Sequence, residues 1–314
     1  MNAVNPPPLI MIHTTESITY SNLSDVLPSQ RLYIFSKIFN TTNHQELHGA
    51  YIWSLKVAAS ILPLISTLEI ALRNAIHNTA SRKISLDWYE TLATKTRSSW
   101  KERQRDQKNI DWHKNEVIRI KNKISKKIAP KGLNKHDLLV AKMDFGFWDN
   151  LLRECFSKNR DKNSLWPQCI PLVFPNLPKG YTNTTIQQEV SKIREMRNDI
   201  AHHAPIWKHN SVFDENTAIT YLNSKVDKIL EIISWLSKEK VDWIEVHMLQ
   251  AEARRKISKE YLHLCQRKNM SNFNTKFSTY KRTFRSNLKI LDQNKFDLFC
   301  THDNKMYMVT KFSD

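Results

Sequence analysis

Residues 185–207 read Thr185-Ile186-Gln187-Gln188-Glu189-Val190-Ser191-Lys192-Ile193-Arg194-Glu195-Met196-Arg197-Asn198-Asp199-Ile200-Ala201-His202-His203-Ala204-Pro205-Ile206-Trp207. Ile186, Val190, Ile193, Met196 and Ile200 recur at spacings of three and four, the period of one helical face. Thr185 with Gln188 fits a capping box at the start. Pro205 disfavours helical geometry at Ala204, so the helix is predicted to finish near His203. The rest of the chain agrees with a mainly α fold: 40% of its 314 residues are apolar, ample for a core, and only 4 are Gly, too few for a turn-rich β protein.

The end of this helix carries an arginine, an amide and two imidazoles. A guanidinium forks onto phosphate oxygens, and an imidazole exchanges protons near neutral pH, so Arg197 and His202 together suit acid/base cleavage of a phosphodiester. Asn198 and His202, four apart, share a face, whereas Arg197 is rotated from His202 by roughly 140° at 3.6 residues per turn. One helix cannot easily close both on one phosphate, and a second copy across a two-fold axis would supply the missing group. The bland alternative is a helix C-terminus at which His202 and His203 meet the last carbonyls and the helix dipole.

In order along the chain stand Leu27-Pro28-Ser29-Gln30-Arg31-Leu32, Leu68-Glu69-Ile70-Ala71-Leu72-Arg73-Asn74-Ala75-Ile76, Phe145-Gly146-Phe147-Trp148 with Leu165-Trp166 and Val173-Phe174-Pro175, and the Arg197 to His203 run. With these four landmarks, residues 20 to 210 resemble the Abi-like (abortive infection) family of bacterial phage-defence proteins, a branch of the HEPN ribonuclease superfamily. The resemblance implies a HEPN-like helical bundle with extra helices, cytoplasmic and bacterial, acting as a homodimer. It implies a toxin-like endoribonuclease with Arg197, Asn198, His202 and His203 at the catalytic site, Glu69 orienting Arg197, and an antitoxin or a restraining noncoding RNA as a further partner. Family members commonly continue the two histidines with Glu-Pro, where this chain has Ala204-Pro205.

The formal charge of +17 concerns partners more than fold. Between Lys95 and Lys135, 14 Lys and Arg stand against 4 Asp and Glu, 14 − 4 = +10 in 41 residues. There Val117, Ile120, Ile124 and Ile128 lie on one helical face, with cations over much of the remainder. This basic segment is expected to contact RNA through Lys101, Arg103, Arg105, Arg119, Lys121, Lys123, Lys126 and Lys127. Trp100 and Trp112 are candidates to stack on bases, or else core residues. A second basic stretch offers Arg254, Arg255, Lys281, Arg282 and Arg285, and is followed by a hairpin with strands Phe296 to Thr301 and Met306 to Lys311.

The organisation expected is one helical domain over 1–240, with the basic segment at about 95–135 as an insertion, and an accessory region over 241–314. Glu69, Arg73 and His77 repeat every four residues, either as an intrahelical ion pair with a surface histidine or as a buried pair orienting the active site, with Arg73 also touching RNA. Residues 57 to 72 are apolar, but Pro63, Ser66 and Glu69 interrupt them, and they read as a buried helix in a soluble protein. Cys155, Cys169, Cys265 and Cys300 lack metal-binding spacing, as do His113, His136 and His209, so no metal or other cofactor is expected. No Gly-rich phosphate loop is present. The main rival from another class is a non-catalytic RNA-binding protein in stable complex with a structured noncoding RNA.

Overall fold

The computed structural model describes residues 27–125, 135–268, 282, 298–302 and 305–309. Helices dominate: α1 (Ser29–Ile38), α2 (His44–Lys83), α3 (Trp88–Thr91), α4 (Trp100–Ser125), α5 (Lys135–Lys142), α6 (Phe145–Leu151), α7 (Ile170–Val173), α8 (Asn183–Ala201), α9 (Glu215–Leu236), α10 (Lys238–Val246), α11 (Leu249–Lys256) and α12 (Lys259–Gln266). The chain divides into two compact units, residues 52–259 and a smaller one drawn from residues 1–51 and 260–314.

In the larger unit one stripe of α2, Trp53, Val57, Ile61, Leu64, Leu68, Leu72, Ile76 and Ala80, is fully enclosed. These positions step by three and four, as a helix buried along one face requires. α2 is long and apolar enough to cross a membrane by length and composition, and its apolar side serves here as core. The helix expected over this stretch is present and continues through Pro63, which falls on the exposed side, where water can serve the Ala59 carbonyl that loses its donor.

Phe145, Phe147, Trp148, Leu165 and Trp166 are all buried, as packing residues. Buried indoles need an acceptor: Trp53 donates to the Lys256 carbonyl at 2.8 Å, Trp166 to the Leu151 carbonyl at 2.7 Å and Trp88 to His77 Nδ1 at 3.2 Å. His77 is therefore a half-buried acceptor instead of a surface histidine. Pro171 sits in the first turn of the single-turn α7, and Pro175 and Pro178 follow it before α8 begins. Cys155 and Cys169 are buried thiols, and burial pushes Cys155 up to about 12.

In the smaller unit Leu32, Phe35 and Phe39 of α1 and its end are buried, with Phe35 5.8 Å edge-on to Tyr51. Two strands pair antiparallel, β1 (Leu298–His302) and β2 (Lys305–Val309), in the register Leu298↔Val309 and His302↔Lys305. The hairpin expected from the sequence is thus present, but β1 extends through His302 and β2 begins at Lys305, both positions assigned to the turn from sequence.

Two predictions follow from the packing. A Cβ added at Gly49 would lie 2.7 Å from the Cys265 carbonyl carbon and closer to its oxygen, so Gly49→Ala should destabilise by about 1–3 kcal/mol, read as a lower urea midpoint. His113, stacked 4.8 Å from Phe147 with Nε2 2.9 Å from the Tyr89 carbonyl, is pushed down to about 4 chiefly by burial. Since the unfolded imidazole takes up its proton near 6.5, the folded state loses stability as pH falls from about 6.5 to 4, by on the order of 3 kcal/mol. His113→Gln, which keeps a donor for Tyr89, should remove that component when melts at pH 7 and pH 4.5 are compared.

Candidate functional site

α8 starts three residues before the capping box read from sequence. Thr182 is the cap: its hydroxyl accepts from the Thr185 N–H at 3.3 Å, and Thr185 Oγ1 accepts from the Thr182 N–H at 2.7 Å. Thr185 plays the returning role usually given to Glu or Gln. Ile186, Val190, Ile193 and Met196 are buried and Ile200 half-buried, so the expected apolar face is the one that packs.

The other end closes at Ala201. The His203 N–H donates to the Ile200 carbonyl at 3.1 Å and the Ala204 N–H to the Asp199 carbonyl at 2.8 Å, with His203 itself left-handed at φ 56. That bond pair is a Schellman closure, whose turning position is more often Gly. The chain is anchored directly afterwards by buried Ile206 and Trp207, whose indole donates to Ser54 Oγ on α2 at 3.2 Å. His202 and His203 thus sit on an exposed turn between two fixed points.

Arg197 and Asn198 are half-buried. Burial raises the Glu69 carboxyl above its ordinary range, the Arg197 charge opposes that rise, Asp144 adds to it and Arg73 opposes it. Glu69 of α2 therefore lies within electrostatic reach of Arg197, without a direct ion pair among the described residues. Glu69 and Arg73 are half-buried, not buried, and no hydrogen bond joins them. Within one chain His202 makes no side-chain hydrogen bond or ion pair among the described residues, and none links it to Arg197.

A network that sequence reading missed sets the height of α8. Asp149 of α6, 2% exposed, accepts from Gln187 Nε2 at 2.8 Å and from Arg194 Nε at 2.9 Å, with Arg153 at 3.9 Å. Arg194 stands one turn before Arg197. The signal available was Gln187 and Arg194, seven apart and so on one face, but their partner is 38 and 45 residues away. Asp144 caps α6 by accepting from the Phe147 N–H at 3.0 Å.

The basic residues divide. Lys101, Arg103, Arg105, Arg119 and Lys123 are exposed on α4, Arg119 paired to Glu116 and Lys121 to Glu90. Val117 and Ile120 bury the opposite face, while Lys126, Lys127 and Ile128 lie outside the described residues. Trp100 and Trp112, 68% and 38% exposed, are surface residues and not core. Arg254 is held by Asp227 at 2.6 Å and Arg255 lies 3.9 Å from Glu252. Arg282 is exposed, and Lys281 and Arg285 lie outside the described residues. His136 bonds Tyr89 at 3.0 Å and His209 bonds Ser211 at 2.8 Å. Among the described residues no group of three or more His, Cys, Asp or Glu is placed to hold a metal ion.

The family model described as Abi-like protein matches residues 14–208, a span holding α1 through α8 and both histidines. No curated protein and no solved structure matches the chain.

Asp149→Ala would leave Arg194 and Gln187 without their acceptor. Because Arg194 is a quarter exposed, the loss is expected at the lower end for a broken buried pair, about 2–3 kcal/mol in urea unfolding, with Asp149→Asn intermediate.

Proposed function

Because this chain belongs to the Abi-like protein family, we propose that it acts in abortive infection, the phage defence the family's name denotes, as an endoribonuclease that needs no divalent ion. The observation that carries this reading is the construction of the α8 terminus: a half-buried guanidinium within electrostatic reach of Glu69, followed by an imidazole on an exposed, doubly anchored turn. A permanent cation and a solvent-facing proton carrier are what phosphodiester cleavage by an internal nucleophile requires.

In the proposed reaction the substrate 2′-hydroxyl attacks the adjacent phosphorus. The 2′-oxygen to phosphorus bond forms and the phosphorus to 5′-oxygen bond breaks. His202 takes the 2′-hydroxyl proton or delivers one to the departing 5′-oxygen, and the products are a 2′,3′-cyclic phosphate and a 5′-hydroxyl. Arg197 stabilises charge on the non-bridging oxygens. Asn198 positions the phosphate or the imidazole, Glu69 orients Arg197, and His203 is a secondary participant. One α8 leaves Arg197 half-buried and His202 exposed with no bond between them, so two copies meeting on a two-fold axis, the commonest symmetry of homo-oligomers, complete the site by pairing Arg197 of each with His202 of the other.

Such an effector, acting in the bacterial cytoplasm, needs restraint in a healthy cell, by an antitoxin or by a noncoding RNA bound to the cationic surface. A non-catalytic partnership with such an RNA is the second reading, favoured by the exposed cations of α4.

Purified protein incubated in EDTA with total RNA and defined tRNAs separates them. Wild type is expected to yield cyclic phosphate ends and His202→Ala to lose at least a hundredfold in rate, in line with removal of an acid/base group. Free 3′-hydroxyl ends, or equal cleavage by both proteins, would refute the proposed chemistry. No cleavage by either, with one RNA co-purifying, would favour the second reading.

A further inference from the structure

The four acids of α4 are not spread evenly against its cations. Asp106, 1% exposed, accepts from Arg97 through its backbone N–H at 2.9 Å and its guanidinium at 2.7 and 3.0 Å, and Glu102 takes a third guanidinium bond at 2.9 Å. Glu116 is buried and paired to Arg119. Only Asp111 stands exposed, accepting from Gln107 at 2.8 Å, while Lys101, Arg103, Arg105, Lys108 and Lys114 face solvent. The helix therefore turns most of its negative charge toward arginines and presents a positive outer face.

Along that face runs a shallow groove lined by Gln104, Gln107, Lys108, Asp111, Trp112 and Asn115. No ring among the described residues stacks on the Trp112 indole, which is 38% exposed. Carboxamides offer both donors and acceptors, matching the mixed edge of an unpaired base. An aromatic face accepts any base by stacking, and flanking cations follow a phosphate backbone. The outer rim of Trp112 lies 4.0 Å from where a Gly146 Cβ would be, and the Asp144 carboxylate lies 3.2 Å from that point. Asp144 is in electrostatic reach of Glu69, and Glu69 of Arg197.

We propose that this groove is a nucleobase subsite, in which an unpaired base of single-stranded RNA stacks on Trp112 with Gln104, Gln107 and Asn115 at its edge and Lys108 at its phosphate. The choice of RNA rests on the ribonuclease reading; the place and the stacking do not. A paired base, its face covered by neighbours and its edge already bonded, cannot enter.

The test uses the full chain carrying His202→Ala, a labelled twelve-nucleotide single-stranded RNA of mixed A and U, and the blunt duplex of the same sequence, followed by anisotropy. Adding Trp112→Ala should weaken single-strand binding about tenfold, the scale of one lost base–aromatic stack, and leave duplex affinity unchanged. Trp112→Phe should recover most of the loss, which a merely structural role for the indole would not predict. Equal single-strand affinity with and without Trp112→Ala, in proteins with matching melts, overturns the subsite. If cleavage depends on His202 while Trp112 changes nothing, the subsite fails and the ribonuclease reading stands. If Trp112→Ala weakens binding while cleavage ignores His202, the subsite stands without that reading.

Discussion

A carboxylate at 2% exposure is costly in a protein interior unless something donates to it, and Asp149 receives its donors almost entirely from α8. Gln187 and Arg194, two turns apart, both reach the same side chain on α6. A slide of α8 along its axis by one residue, about 1.5 Å, would break both bonds at once. The apolar face of α8 fixes which side packs, but greasy contacts alone tolerate small shifts; the polar clamp supplies the axial coordinate. Everything placed by α8, from the capped Thr182 to the turn at His203, inherits its position from that clamp.

The same economy of charge appears on α4. Arg97 precedes the helix and engages two of its acids, so a segment that reads as a mixture of signs behaves as an outward-facing cation. The basic end of α11 is likewise partly paired, Arg254 with Asp227 and Arg255 with Glu252. Where the acids point thus decides how much of a basic stretch faces solvent as unpaired charge.

Much of this was legible in the chain. The α8 face was readable because five apolar residues keep a helical period, and its end because Pro205 forbids continuation. Its start was misread because threonines at 182, 184 and 185 all qualify as caps, and only the loop geometry chooses among them. The two strands of the C-terminal hairpin were placed from the sequence, whereas the turn between them was placed too wide. Nothing local could reveal the Asp149 clamp, the acceptor role of His77 or the capture of Asp106 by Arg97, since each depends on which distant or flanking element arrives beside it. Glu69 was singled out for its spacing from Arg73 and as a partner for Arg197, and its electrostatic company includes Arg197 and also Asp144, which the sequence did not suggest.

The division into units carries a consequence for synthesis on the ribosome. The unit formed by residues 52–259 has all of its own residues once Lys259 has emerged, whereas the other joins the beginning of the chain to residues from 260 onward and must wait for them. Gly49, whose missing side chain admits the backbone of Cys265 and Gln266, spends the interval of translation without its neighbour. The unit bearing Arg197 and His202 is therefore the first that can fold, and any partner that acts on a nascent chain would meet it before the smaller unit has closed.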